Sequence, residues 1–96
     1  MSNQLHYGNL LGDIEDQRGQ RLGGATVTIS GPDKPPPQVS DAQGRFRFLA
    51  LLPGTYWLTA ELAGFGTLEY PNINVGVGRN TTVALTLSPP EPDPEP

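Results

Sequence analysis

The stretch "DAQGRFRFLALLPGTYWLTAELAGF", residues 41–65, decides what kind of fold this chain can adopt. Asp41, Gln43 and Gly44 supply turn chemistry, and after them Phe46 and Phe48 alternate with Arg45 and Arg47. Alternation with period two puts the phenylalanines on one face of a strand and the arginines on the other. Pro53-Gly54 then turns the chain. In the strand that follows, Tyr56, Leu58, Ala60 and Leu62 share one face, while Thr55, Trp57, Thr59 and Glu61 share the other. The single tryptophan therefore falls on the outward parity, opposite the residues that fill a core.

The same rhythm extends in both directions. "ATVTISG" (25–31) turns Ala25, Val27 and Ile29 inward, and its β-branched residues suit a pleated surface. "GNLLGDIED" (8–16) places Leu10, Gly12 and Ile14 on one side, an imperfect alternation that predicts a first strand. "PDKPPPQ" (32–38) has four prolines, which lack the N–H that a sheet ladder needs, so it is an exposed connection. A short strand around Val39 to Asp41 follows it. "AGFGTLEYPNINVGVG" (63–78) reads as an irregular strand region. In it Phe65 plugs one end of the core, Ile73 and Val75 re-enter it, and Pro71 marks an edge or a bulge. "NTTVALTLS" (80–88) sends Val83, Leu85 and Leu87 inward. Seven short strands separated by turns predict an all-β sandwich over residues 8–88. Residues 1–7 read as a loose N-terminal segment, and "PPEPDPEP" (89–96) as a solvated, stiff acidic linker or tail.

Composition agrees with this reading and narrows the functions. In 96 residues, glycine and proline number 23 and charged residues 16, a balance that favours turns and short strands over helices. Glu91, Asp93 and Glu95 carry much of the net charge of −4, which leaves the body nearly neutral. The five arginines and Lys34 are scattered, so no basic cluster is available to neutralise phosphates, and nucleic acid and anionic membranes are poor partners. No apolar run approaches the roughly 18 residues of a membrane span, so no direct membrane insertion is expected. With no cysteine there is no disulfide framework, thiolate metal site or thiol nucleophile. The opening "MSNQLHYGNL" has neither the basic nor the apolar region of a secretion signal, so in an exported parent these residues are an internal piece.

Three blocks, "GDIEDQRGQRLGGATVTISG", "VSDAQGRFRFLALLPGTYWLTAELAGF" and "INVGVGRNTTVALTL", together resemble the carboxypeptidase regulatory-like domain, a prealbumin-like unit related to Cna B-type repeats. The resemblance covers residues 8–87. Its most specific parts are "GATV" after a glycine-bearing turn, the hairpin pattern D-x-x-G-x-F-x-F at 41–48, and "LPGTY…GF" at 52–65. It implies a seven-stranded antiparallel Greek-key β-sandwich of the prealbumin or transthyretin type. In the family this serves as an accessory module beside carboxypeptidase catalytic domains, at the front of TonB-dependent outer-membrane receptors, or as repeats in surface proteins. It also implies an exported location: periplasm, outer membrane or cell surface.

Enzymes with a related sandwich do not fit these residues. The transthyretin-like hydroxyisourate hydrolases use several histidines and a Tyr-Arg-Gly-Ser terminus, whereas this chain has only His6 and ends in Glu95-Pro96. Intradiol dioxygenases hold iron through two histidines and two tyrosines, a set one histidine cannot supply. The Lys-to-Asn crosslink of many Cna B repeats needs a buried lysine and acid, but Lys34 lies in the proline loop and Glu61 on the outward parity. Asp13, Glu15 and Asp16 could attract a hard cation, yet they lack a third oxygen-rich loop and read as solvated charges. His6 reads as a segment histidine, not a ligand. No nucleophile is paired with a base, so no enzyme, cofactor or metal is expected.

Trp57 keeps two readings open. It is either an aromatic lying on the sheet's outer face, stacked on Arg47 or Arg45 and covered by residues 63–72, or a contact patch with Arg45, Arg47 and Thr59. Such a patch could meet a neighbouring domain or a ligand such as a glycan. The expected function is a non-catalytic accessory module that spaces or docks domains of a larger exported bacterial protein. The alternative is a carbohydrate- or protein-binding module using the face around Trp57.

Overall fold

Strands with one apolar face are stable only when those faces are pressed together, and two layers do this here. The computed structural model describes residues 6–89. Most of the expected loose N-terminal segment (1–5) and of the acidic proline tail (90–96) lies outside the described residues. The described residues form β1 (Gly8–Asp16), β2 (Thr26–Ser30), β3 (Gln38–Val39), β4 (Arg45–Leu51), β5 (Gly54–Glu61), β6 (Leu68–Val75) and β7 (Asn80–Leu87). One sheet has the order β4-β1-β7 and the other β3-β2-β5-β6. The inward parity read from the sequence holds in both sheets: Leu10, Ile14, Val27, Ile29, Phe46, Phe48, Tyr56, Leu58, Leu85 and Leu87 are all buried in one core. Phe65 is partly buried and packs against it.

All pairings are antiparallel except β1 with β7, which run parallel from Asn9↔Asn80 to Asp16↔Leu87. Parallel neighbours cannot be joined by a tight turn, and the rest of the domain serves as their crossover. The chain therefore enters β1 at one pole of the sandwich and leaves β7 at the opposite pole.

Two local features explain departures from simple alternation. In the β1–β4 pairing the register slips, with Gly8 opposite Leu51 but Leu10 opposite Phe48. Ala50 sits in this bulge with φ 59°, and its N–H donates to Asn9 Oδ1 at 3.0 Å. Strict alternation after Phe48 would send Ala50 inward; the bulge sends Leu51 in instead, only 1% exposed. The short strand expected at Val39 to Asp41 is shifted to Gln38–Val39. Ser40 turns inward there, its hydroxyl donating to Leu22 O at 2.7 Å and accepting from Ala25 N at 3.0 Å. That pair of bonds is what lets a hydroxyl be buried without loss.

The turn before β4 is fixed by Asp41. Its Oδ1 accepts from the N–H groups of Gln43 and Arg45, both at 2.9 Å. The Arg45 bond holds the carboxyl below its ordinary value, helped by the Gln43 bond and the Arg45 and Arg47 charges. Gly44 closes the turn with φ 75°, in the left-handed region, and its carbonyl accepts from Ile14 N at 2.7 Å.

Tyr56 packs its ring in the core and donates its hydroxyl to Leu52 O at 2.6 Å, tying the first residues of β5 to the residue that follows β4. Burial pushes the phenol above its ordinary value, and the Asp33 carboxylate pushes the same way. The unfolded chain then releases this proton first as pH rises. The associated stability is intact below about pH 10 and is lost as pH climbs through the raised folded value. Tyr56→Phe should cost about 1 kcal/mol at neutral pH. Urea melts from pH 8 to 11 should also show a shallower alkaline loss in the variant than in the parent. Parallel profiles for the two would contradict this.

Candidate functional site

Trp57 lies at the middle of β5, a central strand of the four-stranded sheet, with its side chain on the outer face and 49% exposed. On one side Ser30 of β2 is its direct partner. On the other side the β5–β6 register slips: Tyr56 pairs with Ile73 but Leu58 pairs with Tyr70, so Pro71 and Asn72 together oppose Trp57. This is the bulge that Pro71 signals, and Asn72 takes φ 63° within it, a conformation asparagine tolerates better than most residues. The bulge opens the surface beside the indole into a shallow depression lined by Ser30, Lys34, Thr55, Trp57, Pro71 and Asn72. Thr55 Oγ1 donates to Asn74 Oδ1 at 3.0 Å along the same strand pair. The outward positions of β2 and β5 nearby are Thr26, Thr28 and Thr59. An aromatic plate ringed by hydroxyls, one amide and one ammonium can stack and hydrogen-bond with a ligand.

Of the four residues expected to form one face, the structure brings together Trp57 and Thr59. It separates them from Arg45 and Arg47. β4 belongs to the other sheet, because the Leu52-Pro53 link crosses between the layers instead of folding back in the plane as a hairpin. Phe46 and Phe48 thus meet Tyr56 and Leu58 across the core, while the outward faces of the two strands point away from each other. Stacking of Trp57 on Arg45 or Arg47 is ruled out by this arrangement. The arginines look out from the three-stranded sheet, where Arg45 pairs with Asp13 of β1 and Arg47 with Leu11. Asp13 Oδ1 lies 3.8 Å from Arg45 Nε and 3.5 Å from Arg21 Nη1. These exposed ion pairs contribute about 0–1 kcal/mol.

Residues 63–72 do not cover Trp57 as a lid; Pro71 and Asn72 border it. The sequence places neither Ser30 nor Lys34 beside Trp57, and it brings Pro71 and Asn72 there only as part of the covering segment. The Pro-Asn step inside a strand pattern marks the bulge, but the sequence does not say which residue the bulge faces.

The remaining charged groups have ordinary work or lie in solvent. Asp16 Oδ1 accepts from the N–H groups of Arg18 and Gln20 at 2.8 and 2.9 Å and so shapes the turn after β1. His6, Lys34 and Glu61 are exposed. Among the described residues no group of three or more His, Asp or Glu side chains is placed to hold a metal ion.

Because half of the indole already faces water, Trp57→Ala should lower stability by no more than about 1–2 kcal/mol, measured by urea denaturation followed by circular dichroism. A loss near 4 kcal/mol would place the ring in the core, contrary to its position here.

The fold is shared with larger proteins. The Bacillus anthracis TIE protein superposes with a TM-score of 0.73 at 17% identity, over 88% of this chain and 17% of that one. A Bacteroides uniformis protein, provisionally described as carbohydrate binding, gives 0.68 at 18% identity, over 84% and 41%. The minor pilin of Streptococcus agalactiae gives 0.68 at 13% identity, over 97% and 49%. This chain thus spans less than half the length of each. A comparison with curated protein sequences finds no match. Residues 9–88, nearly the whole of the sandwich, match the carboxypeptidase regulatory-like domain, and the chain belongs to that family.

Proposed function

We propose that this domain is a non-catalytic accessory module of a larger exported bacterial protein, set in series with other domains and holding them at a fixed spacing. The observation that carries this reading is the direction of its terminal strands. β1 and β7 run parallel side by side, so the preceding chain arrives at one pole and the following chain departs from the other. Eight paired residues at about 3.3 Å each separate the two poles by about 25 Å of rigid sheet. A unit with both connections at one pole would hang as a side branch; this one extends the line. Support also comes from the family and from structural neighbours such as the pilin, in which the matching unit is one part of a longer chain.

The test is a fusion with a fluorescent donor before Gly8 and an acceptor after Leu87. A single narrow distance, unchanged by moderate salt, is the expected result. A broad distribution matching that of a Gly/Ser linker of equal length would refute the spacing role.

A second reading, favoured by the exposed indole and the depression beside it, is recognition of a glycan or protein at the Trp57 face. The description of the Bacteroides uniformis neighbour supports considering carbohydrate first. Trp57 is the only tryptophan, so its emission reports that face alone. A saturable shift during titration with soluble polysaccharides, weakened in Lys34→Ala and Asn72→Gly, would establish binding; a flat titration leaves the spacer.

A further inference from the structure

We infer that the β1–β7 ladder is a force-bearing clamp: this domain resists tension applied along the chain because its two terminal strands are loaded in shear. The inference rests on the in-series reading above and goes beyond it, since a spacer need not withstand pulling. Tension draws β1 toward the Gly8 pole and β7 toward the Leu87 pole. The two strands are adjacent and parallel over eight residue pairs, so the load acts along both strands and across every bond between them at once. Separation then requires many bonds to break together. In a peeling geometry they would break one after another.

The ladder is reinforced at its Gly8 pole, where tension from the N-terminal side enters it. Tyr7 O accepts from Gly78 N at 2.9 Å and Arg79 O accepts from Asn9 N at 2.9 Å, which extends the attachment past the strand ends. The Asn9 side chain holds both neighbours of β1: Nδ2 donates to Asn80 Oδ1 of β7 at 2.8 Å, and Oδ1 accepts from Ala50 N of β4 at 3.0 Å. Sliding is also blocked within the core. Gly12 of β1 pairs with Phe46 of β4, and the Phe46 ring occupies the space that a Cβ at Gly12 would need. A slip of one residue would turn every side chain of β1 to the wrong face. A slip of two would drive Leu10 or Ile14 into that ring. Short of complete rupture, β1 has no register to move into.

The experiment is single-molecule pulling of the domain in two geometries at one pulling speed, with handles at the two chain ends or at the N-terminal end and Val77→Cys. Val77 is exposed at the same pole as the start of β1, and the chain has no cysteine of its own, so the thiol is unique. End-to-end pulling should need at least about twofold more force than the peeling geometry, because forced unfolding follows the barrier along the direction pulled. Equal forces, or a weaker end-to-end response, would overturn the clamp. Asn9→Ala should lower the end-to-end force more than Leu62→Ala does, even where Leu62→Ala costs as much equilibrium stability, since Leu62 packs outside the two clamp strands. The reverse order would also count against it. A low end-to-end force together with a narrow donor–acceptor distance removes the clamp and leaves the spacer; a broad distance removes the spacer itself.

Discussion

Phe46→Ala lowers the free energy of unfolding by about 3–5 kcal/mol, the range for truncating a packed aromatic to alanine. The ring is 5% exposed, stands edge-on to Phe48 with centroids 6.1 Å apart, and covers Gly12 on the neighbouring strand. Removing it opens a cavity that Gly12, having no side chain, cannot fill. Domains of this size are stable by about 5–15 kcal/mol, so the variant should show a marked drop in midpoint in urea melts followed by circular dichroism. A loss no larger than that of Trp57→Ala would mean that the two faces of the sandwich are assigned the wrong way round.

Gly44→Ala should cost about 2–4 kcal/mol, the sum of left-handed backbone strain and a steric collision. At φ 75° the added Cβ points at the carbonyl oxygen of Ile14, a backbone atom in the middle of β1 that cannot swing aside. Gly64 supplies the control. Its φ is 87°, yet a Cβ there meets nothing within 4 Å, so Gly64→Ala carries the backbone strain alone. Thermal melts of both variants should put Gly44→Ala clearly lower than Gly64→Ala. Equal losses would remove the collision from the explanation and leave only the turn conformation.

Parity was legible in the sequence because burial in a sheet imposes a period of two, and residues such as Val27, Phe48, Tyr56 and Leu85 report it directly. Layer assignment was not. "LLPGTY" joins two alternating strands by a turn as short as a hairpin's, but the chain uses it to pass from one sheet to the other. Nothing in the side chains of Leu52, Pro53 or Gly54 separates an in-plane return from a crossing. The candidate site depended on that choice: it placed Arg45 and Arg47 beside Trp57, whereas the crossing puts them on opposite outer surfaces. Parallel pairing of β1 with β7 was equally hidden, since the pairing of strands about 70 residues apart is set by the whole arrangement and leaves no local mark. The slips at Ala50 and at Pro71-Asn72 lie between these cases. Proline signals the second, while the first depends on Asn9 capturing the Ala50 N–H from another strand.

The half-exposed indole has a practical consequence for anyone measuring this protein. Emission from Trp57 in the native state already comes from a ring touching solvent, so denaturation should shift its wavelength little. The same ring is the most responsive probe available for anything that settles onto the sheet beside it. Loss of order in the molecule is better followed through the far-ultraviolet signal of its strands, with the tryptophan reserved for encounters.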